Sequence, residues 1–348
     1  MRRRKQQSQK DVYSNLLSTG CAMLNSILAD NPWGALRKGT IVNIIGDSSA
    51  GKSILAFTAL ASIASNPEFN NYRFIYDDAE CADSFNIEKL FGNKLKKRLE
   101  APAYDADKNP IASDTIEDFH MYVKDAVKEG SPFVYILDSF DALDSDADEK
   151  KIEEALEARR KGKKSTGSYG SKAKKTSELL RNIRTDLKKT DSILIIISQV
   201  RENLNAMAFG SKKTRSGGKA LKHYSWYEIW LYLGKKITAK DRQIGVNTIV
   251  KIGKNRQTGK IREGTFPIYY DLGIDDVTAC VEFLVNEGYW SKKKSTIIAP
   301  EIDFEGTKAK MIEYIETNNL EDKLYNAVYA CWTEIEESLE LHRKKRFE

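Results

Sequence analysis

Cysteine and histidine are scarce in this chain: four cysteines and three histidines among 348 residues. Cys21, Cys81, Cys280 and Cys331 lie far apart with no CxxC pair, so four buried or free thiols in a reducing compartment are expected. With only His120, His223 and His342 beside them, a zinc site is not expected. No apolar run approaches the roughly 20 residues that span a bilayer. The basic opening MRRRKQQSQK has no apolar segment behind it, so it does not read as a signal peptide. Internal repeats are missing too. What is left is a folded, cytoplasmic chain, 41% hydrophobic and 30% charged, long enough for one α/β core and a smaller appended unit.

The strongest positive feature is the stretch GDSSAGKS, comprising Gly46, Asp47, Ser48, Ser49, Ala50, Gly51, Lys52 and Ser53. It fits GxxxxGK[ST] at every fixed position, follows the apolar run 41–45 and precedes the Ala-, Leu- and Ile-rich segment 54–64. A strand, a glycine-permitted turn and a helix in that order aim backbone N–H groups and the positive end of the helix dipole at an anion. Lys52 would reach the β- and γ-phosphates of a nucleotide, and the Ser53 hydroxyl would ligate Mg²⁺.

Further strands are read at 72–76, ending in DDAE, at 133–137, ending in Asp138, and at 192–197, followed by Gln199. Asp138 is the expected magnesium carboxylate, because strand ends converge on the crevice that holds the phosphates. Glu80 is the expected group to polarise the attacking water, with Asp78 as its competitor, and Gln199 is placed to hydrogen-bond a γ-phosphate oxygen. Helices are expected over 116–127, with Phe119, Tyr122, Val123 and Ala126 on one face, and over 176–189. Strands at 226–233, 246–253 and 266–270 follow without intervening helices, which predicts an antiparallel extension. The fold class is therefore α/β, with a mixed, mainly parallel twisted sheet flanked by helices. From about Asp275 the spacing changes to acidic amphipathic helices at 309–316 and 320–341, a small helical C-terminal unit.

The net charge of +6 is concentrated in two places. Residues 159–175 hold eight Lys or Arg and no acid, and residues 201–222 hold six against one Glu. Such runs are ordinarily solvated loops; attached to a phosphate-handling core, they point to an anionic polymer.

Taken in order, STGC with LNSIL, GDSSAGKS, FIYDDAE, YILDS, IIISQVR, FGSKKTRSGGKALKHY and VKIGKNR resemble the RecA/Rad51 recombinase family over about 18–273. The resemblance implies a RecA-like P-loop ATPase core (36–273) after an N-terminal arm and lead-in segment (1–35), with a C-terminal unit at 274–348. It implies ATP and Mg²⁺ as cofactors, Glu80 as catalytic glutamate, Asp138 as Walker B aspartate and Gln199 as γ-phosphate sensor. Lys254 and Arg256 match positions that reach the ATP of the neighbouring subunit. Two DNA-binding loops carry over: Tyr169 and Lys174 at the end of the first, and Arg201, Phe209, Lys212, Lys213, Arg215, Gly217 and Gly218 in the second. Any one of these lysines has plain solvation as its alternative, and Phe209 a loop-anchoring role.

The implied function is an ATP-dependent recombinase that forms a helical filament on single-stranded DNA and exchanges strands with duplex DNA, assisted by single-strand-binding and mediator proteins. A hexameric helicase built on the same core and a recombination mediator with weak ATPase are the alternatives. The short arm, the long first loop and the basic ending HRKKRFE look more like bacteriophage recombinases of the UvsX type than like a cellular RecA.

Overall fold

The computed structural model describes residues 16–81, 86–107, 110–145, 171–202, 213–215 and 218–343. Leu16–Leu17 (β1) pairs antiparallel with Leu36–Arg37 (β2) and encloses the helix Ala22–Ala29 (α1). All eight residues of AMLNSILA are buried, as a helix that is apolar nearly all round requires. Its one amide side chain, Asn25, is absorbed by hydrogen bonds from the Thr19 N–H and to the Pro32 carbonyl, both 2.9 Å. The lead-in segment is thus packed into the core, not set apart from it.

Thr40–Gly46 (β3) is buried along its whole length and runs into Lys52–Ser65 (α2). Arg73–Asp77 (β4), Ile87–Arg98 (α3), Ile116–Lys128 (α4), Phe133–Leu137 (β5), Ser171–Thr190 (α5) and Ile193–Glu202 (β6) follow. The chain continues through Lys213–Arg215 (β7), Gly218–Tyr224 (α6), Tyr227–Ala239 (β8), Arg242–Asn255 (β9), Glu263–Tyr269 (β10) and Gly273–Ile274 (β11). These strands build one sheet in the order β11-β10-β9-β8-β3-β6-β5-β4, with β7 added to β6. The segment from β8 through β3, β6 and β5 to β4 is parallel, and β9, β10 and β11 extend it antiparallel as the sequence predicts.

Both faces of the parallel half are covered, which is why its strands read as unbroken apolar runs. Alternation decides which side chain goes where. Val42, Ile44, Val134, Ile136, Ile193, Ile195 and Ile197 pack with α1 and α2. Ile41, Phe133, Tyr135, Leu137, Leu194 and Ile196 pack with α4 and α5. In α4 a capping box closes the first turn, between Thr115 and Asp118, and Phe119, Val123 and Ala126 are buried as expected. Tyr122 is only half-buried, packed against the edge of the same cluster.

The C-terminal unit departs from an all-helical expectation. Lys308–Thr317 (α8) and Glu321–Ser338 (α9) match the two amphipathic segments, but Asp276–Asn286 (α7) and a three-stranded antiparallel sheet precede them. That sheet joins Ser291–Lys293 (β12), Thr296–Ala299 (β13) and Phe304–Thr307 (β14), strands too short to carry a readable period of two. Trp290 is fully buried beside it and donates its indole N–H to Glu301 at 2.7 Å. Leu284, Met311, Ile315, Leu324 and Val328 belong to the same buried cluster as α1 and α2, so the unit shares the core.

Arg262 clamps this junction. Its guanidinium bonds Asp30 at 2.6 Å at the end of α1 and Glu336 in α9, and lies 5.1 Å from the Trp332 ring centroid. Removing one member of a mostly buried ionic cluster leaves the rest uncompensated. Arg262→Ala is therefore expected to lose about 2 kcal/mol of stability, measured as a lower denaturation midpoint at unchanged slope; an unchanged midpoint refutes the clamp.

Candidate nucleotide site

The register of β3 puts Gly46 opposite both Gln199 of β6 and Leu231 of β8. A Cβ on Gly46 would stand 2.7 Å from the Leu231 carbonyl oxygen, so only glycine permits this approach. The loop then turns through Ser49 at φ 63° and Gly51 at φ 91°. At Gly51 a side chain would also strike Ile268, 2.4 Å from a built Cβ. The Ala50 N–H bonds the Asp47 carbonyl at 3.2 Å, and Thr248 of β9 donates to the Ala50 carbonyl at 3.2 Å. Thr248 and Ile268 thus brace the loop from the antiparallel extension, a role that sequence reading missed because neither belongs to a motif.

Lys52, Ser53 and Asp138 meet at the loop's open side. The Lys52 ammonium donates to the Asp47 carbonyl at 3.0 Å, and the Ser53 hydroxyl donates to Asp138 Oδ2 at 2.6 Å. Burial lowers the pKa of Lys52 against the pull of Asp138, Glu80, Asp141 and Asp47. Burial likewise pushes the Asp138 carboxyl up from 3.8 to about 6; Ser53 and Lys52 oppose this while Glu80 and Asp78 add to it. Both charges are thus held under electrostatic tension that phosphates and a divalent cation would relieve. Among the described residues no group of three His, Cys, Asp or Glu side chains can hold a metal by itself. The Ser53 and Asp138 oxygens fit a Mg²⁺ that takes its remaining ligands from phosphate and water.

Glu80 lies three residues beyond β4, on a turn whose N–H bonds the Asp138 carbonyl at 3.0 Å. Its Oε1 accepts from the Ser139 hydroxyl and from Gln199 Nε2, the latter at 2.9 Å. Asp78 has its carboxylate engaged with the Tyr76 hydroxyl instead. Gln199 is not at a strand end as expected, because β6 continues to Glu202; its backbone N–H is fixed by Asp141 Oδ2 at 2.6 Å. Asp141 and Ser139 were not singled out from the sequence, although both sit in the DSFD run that ends β5.

Lys254 and Arg256 stand apart from this group. They lie where β9 pairs with the start of β8, Lys254 opposite Glu228, and they cap the C-terminus of α6: Lys254 donates to the Lys222 and His223 carbonyls, and Arg256 to His223 at 2.8 Å. Glu228 is level with Asn43 of β3, three residues before Gly46, or about 10 Å along the strand.

Of the DNA-loop residues, Tyr169, Phe209, Lys212 and Gly217 lie outside the described residues. Lys174 belongs to the first turns of α5 and not to a loop. Arg201 pairs with Thr214 across β6 and β7, and Lys213 and Arg215 are in β7, so part of the expected second loop is a hairpin; Gly218 opens α6.

A RecA N-terminal domain family model matches residues 2–275. The chain belongs to the RecA family. Bacterial proteins named "Protein RecA" are similar along most of it: that of Clostridium beijerinckii is 29% identical over 281 residues, 79% of this chain and 70% of the relative. The protein of Caulobacter vibrioides is 28% identical over 262 residues, 75% and 66% of the two chains, and that of Clostridioides difficile 27% over 331 residues, 93% and 86%. Membership in the RecA family makes the protein a DNA-dependent ATPase of recombination and repair, using ATP and Mg²⁺.

The raised Asp138 pKa has a stability consequence. The folded chain holds this proton to higher pH than the unfolded one, so ionisation weakens folding as pH rises from about 4 to about 6, by at most about 3 kcal/mol. Metal-free Asp138→Asn is expected to melt above the wild type at neutral pH, lose that advantage near pH 4, and hydrolyse no ATP. A pH-independent difference in melting between the two proteins counts against it.

Proposed function

We propose that the protein polymerises on single-stranded DNA and, in that state, pairs and exchanges homologous strands with duplex DNA. The observation that carries this reading is the Gln199-to-Glu80 hydrogen bond of 2.9 Å. It joins the residue suited to activating water to the strand that leads into the second basic segment.

In this scheme Lys52 and the backbone N–H groups of residues 46–53 bind and orient the nucleotide phosphates, and Glu80 takes the proton of the attacking water. Bound Mg²⁺, held by Ser53 and Asp138, supplies the charge neutralisation that phosphoryl transfer needs. Gln199 exchanges Glu80 for a γ-phosphate oxygen, so that occupancy of the site alters β6 and the hairpin it forms with β7. Lys254 and Arg256, too far along β9 to serve their own loop, act on the nucleotide of the next protomer. Lys174, Arg201, Lys212, Lys213 and Arg215 neutralise DNA phosphates without reading sequence, while Tyr169 and Phe209 separate or stack bases, and Gly217 and Gly218 belong to the same DNA-binding segment.

The likeness to bacteriophage recombinases, the cytoplasmic location and cooperation with single-strand-binding and mediator proteins belong to the same reading. Electron microscopy with single-stranded DNA and a non-hydrolysable ATP analogue is expected to give open helical filaments; closed rings favour a helicase and monomers a mediator. In a second experiment, Lys212→Ala/Lys213→Ala/Arg215→Ala should weaken DNA binding and flatten its dependence on salt, by about one unit of log–log slope for each phosphate no longer neutralised. Unchanged DNA affinity removes these three side chains from the interface.

A further inference from the structure

β4 is the last strand of the sheet, and the turn that carries Glu80 leaves from its end. On its inner side β5 pairs with it from Arg73 to Asp77; on its outer side, among the described residues, a single bridge joins Phe74 to Leu99. An edge strand held mainly from one side is a weak base from which to aim a side chain. The site nevertheless hangs on it: the Asp77 carbonyl accepts the Asp138 N–H at 2.9 Å, and the Asp138 carbonyl accepts the Glu80 N–H at 3.0 Å.

The Asp77 side chain supplies what the missing strand does not. Its carboxylate is 5% exposed and is met by neutral donors: Oδ1 accepts the Ser113 N–H at 2.9 Å, and Oδ2 accepts the Ser113 and Tyr135 hydroxyls, both at 2.6 Å. Among the described residues it makes no ion pair. A carboxylate buried without a counter-charge is costly, so its use here lies in the bonds it collects. Both anchors are themselves fixed. Tyr135 belongs to β5 and sets its ring 5.8 Å from that of Phe119 in α4. Ser113 leads into the capped start of α4, where the Asp114 carbonyl and the Ile116 N–H are both bonded to the backbone of Asp144 at 2.9 Å. Tyr135 packs with α4, on the face of the sheet away from the α2 helix that follows the phosphate loop, so this group holds the site from behind and does not touch the nucleotide.

The geometry points to Asp77 as a positioning residue for ATP hydrolysis: tied to Ser113 and Tyr135, it holds the end of β4 so that Glu80 keeps its place beside Asp138. The inference rests on the reading that Glu80 takes the proton of the attacking water. Its signature is a loss of turnover without a loss of nucleotide affinity, because the phosphate loop is carried by β3 and not by β4.

The test is steady-state DNA-stimulated ATP turnover by the full chain. Asp77→Leu keeps the bulk and removes every acceptor; it is expected to lose about tenfold in kcat with the KM for ATP within about twofold of wild type. Asp77→Asn should rescue, retaining about half of wild-type turnover or more, since its amide oxygen still accepts while the Ser113 and Tyr135 hydroxyls can turn to accept from the amide N–H. Tyr135→Phe deletes one of the bonds and nothing else, with about a threefold loss in kcat expected at unchanged KM, and it decides the matter where Asp77→Leu does not fold. Glu80→Gln is run beside them and should be inactive. Wild-type kcat in Asp77→Leu or Tyr135→Phe, next to an inactive Glu80→Gln, overturns the inference and leaves the reading of Glu80 standing. A raised KM at unchanged kcat overturns it too, because the tether would then serve binding. Equal losses in Asp77→Asn and Asp77→Leu overturn it by showing that the charge acts and not the tether. Full turnover by Glu80→Gln removes the reading of Glu80 and the inference with it.

Discussion

The register of β3 between β6 and β8 is the constraint on which the rest of the molecule depends. Every residue of β3 is buried, with Val42 and Ile44 turned to one layer of helices and Ile41 to the other, so a slip by one residue would exchange the two faces. Because that slip is forbidden, Gly46 is fixed opposite Gln199 and Leu231, and the loop begins where β3 ends between two strands that continue past it. Lys52, Ser53, Asp138, Glu80 and Gln199, scattered over nearly 150 positions of sequence, then meet at one edge of the sheet. Lys52 and Ser53 are placed by the loop they end, but Asp138, Glu80 and Gln199 reach them only through the sheet.

A second consequence is electrostatic. The strand ends collect carboxylates around one ammonium, and burial works against both signs: the Asp138 pKa rises to about 6 while that of Lys52 falls. Left to itself the site is the least comfortable part of the core, and the hydrogen bonds from Ser53 to Asp138 and from Lys52 to the Asp47 carbonyl relieve it only in part. A ligand carrying both phosphates and a divalent cation offers each charge its partner. Binding energy is available here because the fold has withheld it from internal pairing.

How much of this was legible follows the same physics. The phosphate loop, the core strands and the place of Asp138 could be read, because a buried parallel strand leaves an apolar run and its end is marked by the first acid after it; after β4 that first acid is Asp78, so the choice of Glu80 came from the family resemblance and not from the pattern. The extension of β6 past Ile197 could not, since Gln199 and Arg201 look like loop residues until β7 pairs with them. The strands of the C-terminal sheet are only three or four residues long, below the length at which alternation shows. Thr248 and Ile268 brace the loop from 200 residues away, and Asp77 is tied to Ser113 and Tyr135, 36 and 58 positions further on. Only the topology brings them together, so no local pattern announces them.

The hairpin of β6 and β7 bears on how the proposed switch works. Had residues after Ile197 been a free tether, a change at Gln199 would be dissipated within a few rotatable bonds. Instead Val200, Arg201 and Glu202 are laddered to Arg215, Thr214 and Lys213, and the backbone of Gln199 is itself pinned by Asp141. The side-chain amide is what remains free to exchange partners, between Glu80 and a phosphate oxygen. If Gln199 moves toward the phosphate, Glu80 loses a hydrogen bond, and any adjustment of β6 is passed through the ladder to β7, which precedes α6 in the chain. The same α6 ends under Lys254 and Arg256, which bind its terminal carbonyls. One short helix thus links the basic segment to the cations proposed to serve the neighbouring protomer, so DNA and the adjacent subunit would press on a single element from its two ends.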